Sequence, residues 1–109
     1  MDGNFLRQAI EVVEENLANF EFTHEQLIDA MNTSKSTLYR KLKSLTGLSP
    51  SEFVRNIRLK HACLMLKNET GNISDIAYAV GFNDPKYFST CFKAEFGVSP
   101  REYNKSGKS

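Results

Sequence analysis

Two stretches of this 109-residue chain concentrate side chains able to bond outside it: KSTLYRKLK at 35–43 and PKYFSTCFK at 85–93. Their chemistry is hydrogen-bond donation and positive charge, which suits holding a polar or anionic surface more than turning over a substrate. The residues a reaction needs are scarce. Only two histidines occur, His24 and His61, and HEQLI at 24–28 lacks the second histidine of a zinc helix. No glycine-rich phosphate loop or nucleophile elbow is present. Cys63 and Cys91 stand inside helical apolar patterns with no histidine at ligand spacing, so they read as core thiols of a cytoplasmic protein. The expectation is no catalytic residue, no metal, no cofactor and no small-molecule ligand. No apolar run approaches the roughly 20 residues that cross a bilayer, and no signal-peptide pattern opens the chain, so no membrane role is expected.

The formal net charge of +1 hides a polarised distribution. From Met1 to Asp29 seven acids accompany the single base Arg7, a balance of −6. From Lys35 to Lys60 seven bases accompany the single acid Glu52, a balance of +6. A basic segment of this kind is the electrostatic footprint of nucleic-acid contact. Solvated helix faces are the plainer reading of the same charges.

The elements that must carry these segments are helices. Leu6, Ile10, Val13, Leu17 and Phe20 recur at helical spacing, opposite Glu11, Glu14 and Glu15, which predicts a helix over about 4–18. Thr23 and Gln26 form a capping box for a short helix through Ala30, with Leu27 and Ile28 inward. Ser34 caps a third helix whose Leu38, Leu42 and Leu45 make one stripe, and Gly47 ends it. A long helix runs from Pro50 to about Lys67; its second half is apolar nearly all round and is expected to be buried. NETGN breaks the chain at Gly71. Asn72 then caps ISDIAYAV, Gly81 turns the chain, and Asp84 with Pro85 starts a helix that Gly97 ends. A last helix over about Pro100–Asn104 precedes a frayed polar tail.

The plan is written twice. GLSPSEF at 47–53 returns as GVSPREY at 97–103, each a helix stop followed by a Ser-Pro-x-Glu helix start. Leu27–Ala30 matches Ile76–Ala79 at an offset of 49, and Leu38, Leu42, Lys43 and Gly47 match Phe88, Phe92, Lys93 and Gly97 at 50. The extra residue falls in the turn, where Asn32 and Gly81 correspond and both types tolerate positive φ. Each unit is a short helix, a tight turn and a helix bearing polar and basic residues. That is a helix-turn-helix, whose second helix lies in the DNA major groove. The fold class is all-α, about seven helices. The organisation is a first subdomain over 1–48, a linker helix over 49–68, a second subdomain over 69–105 and a flexible tail over 106–109.

On these residues the chain resembles the DNA-binding domain of AraC-type transcription regulators, from about Phe5 to Tyr103. The most specific part is ISDIAYAVGFNDPKYFSTCFKAEFGVSPREY. TSKSTLYRKLKSLTGLSPSEFVRNIRLKHA is similar to the output domains of hybrid two-component regulators. The string TLYRKLK also occurs in single helix-turn-helix domains of the Fis type, and the second unit decides against that family. The resemblance implies two units entering successive major grooves of double-stranded DNA, separated by about one helical turn, ~34 Å.

It also implies which residues read bases: Ser36, Tyr39 and Arg40 in the first unit, Lys86, Ser89 and Thr90 in the second. The sequence departs here from those family members that place arginine where Thr90 stands; threonine offers one hydroxyl and a methyl instead of a bidentate fork, so weaker direct readout by the second unit is the expectation. Arg40 is the expected guanine reader, with phosphate holding as the alternative. Phosphate-contact candidates are the matching pair Lys43 and Lys93, then Lys35, Thr37, Arg55, Tyr87 and Arg101, and Ser49 and Ser99 at two helix starts. Arg58 is either a phosphate contact or a structural residue.

The resemblance further implies sensor or receiver domains in a longer parent chain, with RNA polymerase a candidate partner. A stand-alone small regulator is the alternative within the same class. From a different class, a helical protein-interaction module would use the acidic first helix but leaves two capped basic helices unexplained. RNA is disfavoured because the phenylalanines fall on packed faces, leaving no stacking platform.

Overall fold

Every helix start expected from a capping residue is a helix start in the computed structural model, which describes residues 2–68 and 72–107. In chain order the helices are α1 (Asp2–Glu15), α2 (His24–Ala30), α3 (Lys35–Thr46), α4 (Pro50–Lys67), α5 (Ile73–Ala79), α6 (Pro85–Phe96) and α7 (Pro100–Gly107). The fold is all-helical, with no strand among the described residues.

The caps act as their chemistry requires. Ser34 Oγ accepts from the Thr37 N–H at 3.2 Å, Asn72 Oδ1 from the Asp75 N–H at 2.8 Å, and Asp84 Oδ1 from the Lys86 N–H at 3.0 Å. Both Ser-Pro-x-Glu boxes close: the Ser49 N–H donates to Glu52 at 2.9 Å and the Ser99 N–H to Glu102 at 3.0 Å. Gly47 and Gly97 end α3 and α6 in the left-handed region, at φ 79° and 83°, which an L side chain reaches only at a cost of about 1–2 kcal/mol. The turns between α2 and α3 and between α5 and α6 use the corresponding left-handed residues Asn32 (φ 53°) and Gly81 (φ 95°).

The chain divides into two compact units, Met1–Ile57 and Arg58–Ser109, with α4 contributing its first turns to one and the rest to the other. In the first unit Ala9, Val13, Leu27, Leu38 and Leu42 are fully buried with Phe22, Phe53, Val54 and Ile57 around them. In the second, Phe88 and Phe92 are fully buried in a run of ring contacts: Phe82 to Phe88 at 5.2 Å, Phe88 to Phe92 at 5.8 Å, Phe92 to Phe96 at 4.6 Å and Phe92 to Tyr103 at 5.5 Å. Burying one phenylalanine is worth about 1.5–3 kcal/mol, enough to fix which way α6 is rotated.

Several expectations change. The helix α1 ends at Glu15, earlier than expected, because Asn16 and Leu17 bond back three residues to Val13 and Glu14 at 3.1 and 3.3 Å. That tighter turn takes Phe20 off the stripe; it is 52% exposed, and Phe22 fills the core in its place. Leu45, in the last turn of α3, is 36% exposed, and Leu48 beyond the glycine packs on the core instead. The second half of α4 is not buried all round: Leu59, Ala62 and Leu66 form the buried stripe, while Leu64, about 140° round the helix from Leu59, is 55% exposed. Cys63 and Cys91 are free and half-buried, short of true core positions. Burial pushes the Cys63 thiol up, and a hydrogen bond with Tyr103 opposes this. The helix α7 runs on to Gly107, so Ser106 and Gly107 are helical where a tail was expected; residues 108–109 and the expected break at Gly71 lie outside the described residues.

Candidate nucleic-acid interface

With Leu38 and Leu42 buried, α3 turns Ser36, Tyr39, Arg40 and Lys43 outward, and all are exposed. Their spacing of i, i+3, i+4 and i+7 makes one face. With Phe88 and Phe92 buried, α6 turns Lys86, Ser89, Thr90 and Lys93 outward at the same spacing; Ser89 is half-buried and the others exposed. The six expected base readers and the two matching lysines therefore form one face in each unit.

The faces differ in chemistry. That of α3 carries Arg40 and the Tyr39 ring, 49% exposed, with a shallow depression lined by Ser34, Lys35, Ser36 and Tyr39. A second, smaller depression is lined by Arg40, Lys41, Ser44 and Leu45. Ser34 and Ser44 were not among the expected contact residues; their places at the cap and on the helix flank were the available signal. On α6 the Thr90 hydroxyl donates to the Lys86 carbonyl of its own helix at 3.1 Å, so its proton is already committed. Tyr87 lies to the side of this face, with its ring 6.0 Å from that of Phe82.

The outer candidates fall into different situations. Lys35 and Arg101 are exposed. Thr37 is half-buried and belongs to the α3 cap, where its hydroxyl accepts from Ser34 at 2.9 Å. Ser49 and Ser99 are half-buried, and each accepts an N–H inside its own capping box, from Glu52 at 3.4 Å and Glu102 at 3.2 Å. Arg55 is half-buried. Arg58 is 9% exposed, and burial lowers its pKa, which favours the structural reading over a phosphate contact.

Of the seven bases in the Lys35–Lys60 segment, Lys35, Arg40, Lys43 and Lys60 are exposed. Lys41 instead places its ammonium 4.8 Å from the centre of the Phe5 ring on α1, a cation–π contact. Lys41 and Arg55 are half-buried and Arg58 buried, so four of the seven bases are exposed, and three of those four lie on α3.

The two units share one electrostatic detail. The Glu52 carboxyl is held below its ordinary value of 4.5, chiefly by the Ser49 backbone and hydroxyl bonds, with Lys43 and Arg55 adding to the effect. Glu102 is lowered in the same way by Ser99, with Lys93 adding to it. Each matching lysine therefore sits in the field of a carboxylate that caps the next helix. Among the described residues no cluster of His, Cys, Asp and Glu fit to hold a metal occurs, and no helix is long and apolar enough to cross a membrane.

Two copies of a short helix, a left-handed turn and an outward polar helix define a helix-turn-helix DNA-binding protein. A family model described as a helix-turn-helix domain matches residues 27–106, and the chain belongs to the AraC-type helix-turn-helix family of transcription regulators. It is 41% identical over 103 residues to "Histidine kinase P4" of Formosa agariphila, covering 94% of this chain and 8% of that protein. It is 44% identical over 96 residues to the transcriptional activator RhaS of Mannheimia succiniciproducens, covering 88% of this chain and 35% of that one. The C-terminal domain of AraT, a response regulator from Geobacillus stearothermophilus, superposes with a TM-score of 0.83 at 30% identity, over 94% of this chain and 84% of that one. The DNA-binding domain of AdpA, solved in complex with a target DNA, superposes with a TM-score of 0.80 at 25% identity, over 96% and 90%. The chain spans only a small part of the curated relatives it matches.

Proposed function

We propose that this chain binds double-stranded DNA sequence-specifically through both helix-turn-helix units, α3 and α6 each lying in a major groove and the two grooves successive. The observation that carries the reading is the pair of outward faces, Ser36–Tyr39–Arg40–Lys43 and Lys86–Ser89–Thr90–Lys93, at identical helical spacing. Direct readout centres on Arg40, whose guanidinium can bond guanine O6 and N7 together. Lys43, Lys93, Lys35 and Arg101 hold phosphates, which positions the protein without reading sequence. Working on DNA, the chain acts in the cytoplasm and has no catalytic role.

The chain serves as the output piece of a longer two-component regulator, whose sensor and receiver parts supply the signal and whose effect passes to RNA polymerase. Support comes from the 41% identity to a region making up 8% of a histidine kinase, and from the likeness to a response-regulator C-terminal domain. Titration of the chain with duplex DNA at varied salt tests the DNA reading. Affinity should fall steeply between ~50 and 200 mM salt as counterions are released, and insensitivity to salt would contradict it.

A further inference from the structure

We infer that Thr90 reads the 5-methyl group of a thymine through its own γ-methyl, making the second unit a methyl reader where the first is a hydrogen-bond reader. The inference rests on the DNA-binding reading above and deepens it. Thr90 is exposed on the outward face of α6, between Lys86 one turn before and Lys93 one turn after. A threonine in a helix has two outward resources, a hydroxyl and a methyl. Here the hydroxyl donates to the Lys86 carbonyl at 3.1 Å, the back-bond to the residue four before that threonine makes in helices. Its proton is spent on the helix, so the oxygen is left only as an acceptor. Of the base edges in the major groove, adenine N6 and cytosine N4 present donors that such an oxygen can accept with a single bond, where longer side chains make bidentate or charged ones. The group Thr90 offers without disturbing its helix is the methyl, and the apolar feature of the groove is the thymine 5-methyl.

The neighbours fit that role. Ser89 is half-buried and Lys86 a flexible point charge, so neither supplies a planar fork that would dominate readout by this face. The face of α3 contains Arg40, for which no counterpart occurs on α6.

The test uses the 109-residue protein, a duplex selected for tight binding, and copies of it in which each thymine of the second-unit element is replaced in turn by uracil. Uracil keeps every hydrogen-bonding group and lacks only the methyl. One replacement should weaken the unsubstituted protein about 4-fold, the value of one buried methyl-sized group. Thr90→Ser, which keeps the hydroxyl and removes the methyl, should abolish that discrimination. Thr90→Val, which keeps a methyl and removes the hydroxyl, should retain it. Equal affinity for thymine and uracil at every position, beside a steep salt dependence on the parent duplex, overturns the methyl assignment and leaves DNA binding standing. Discrimination kept by Thr90→Ser and lost by Thr90→Val also overturns it, because the hydroxyl would then be the reader. Failure of the unsubstituted protein to select any duplex overturns both.

Discussion

At the scale of single residues, the division between reading and holding makes separable predictions. Arg40 and Lys43 share the outward face of α3, yet a bidentate guanidinium and a point-charge ammonium act differently on DNA. Arg40→Ala should cost about 1–3 kcal/mol on the preferred site and relax base preference at one position, measured by competition with single-base variants. An equal loss on every sequence would make Arg40 a phosphate clamp. Lys43→Ala should weaken all sequences alike and reduce the salt slope by about one; an unchanged slope would remove Lys43 from the contacts. Residue types and helical period suffice to place these side chains on an exposed face. Three facts were not legible that way. The Thr90 back-bond depends on a rotamer, the Lys41 contact with Phe5 joins residues 36 positions apart, and the burial of Arg58 depends on what packs around it.

At the scale of elements, the helix boundaries are set by caps, and the caps carry a pH dependence. The carboxyls of Glu52 and Glu102 are depressed in the folded chain by the bonds that close their boxes. The unfolded chain then binds more protons as pH falls below the ordinary value of 4.5, and stability falls with it. The stabilisation is complete above that value and lost as pH drops through the lower folded values. Replacing both residues with glutamine preserves the box geometry without a titrating group, so this part of the acid loss should disappear. Urea midpoints measured between about pH 3 and 6 for both proteins check it; parallel profiles would show the carboxylates contribute nothing. Caps were legible because each is a short string with one local meaning, Ser-Pro-x-Glu or a glycine stop. Phe20 and Leu45 depart from expectation because each continues an apolar pattern past the point where its helix packs, and Leu64 because it lies round the helix from the buried Leu59–Ala62–Leu66 stripe. Periodicity reports what a helix offers, and packing decides which part is taken.

At the scale of the whole molecule, the duplication is the feature from which the functional account grows. Matching offsets of 49 and 50 identified two units, and both contain the same left-handed turn, the same outward spacing and the same Lys–Glu cap arrangement. They differ in what the outward face says: arginine and tyrosine in the first, lysine and back-bonded threonine in the second. Duplication with divergence suits a protein that reads two unlike elements with one chain. The sequence charge balance of +6 overstated the basic surface, since Arg58 is buried and Lys41 and Arg55 are half-buried. Selection of bound sequences from a random duplex pool tests the double-headed reading most directly. Two short motifs about one helical turn, roughly 10 bp, apart are expected, the one read by Arg40 containing guanine. A single enriched motif, or none, would contradict it.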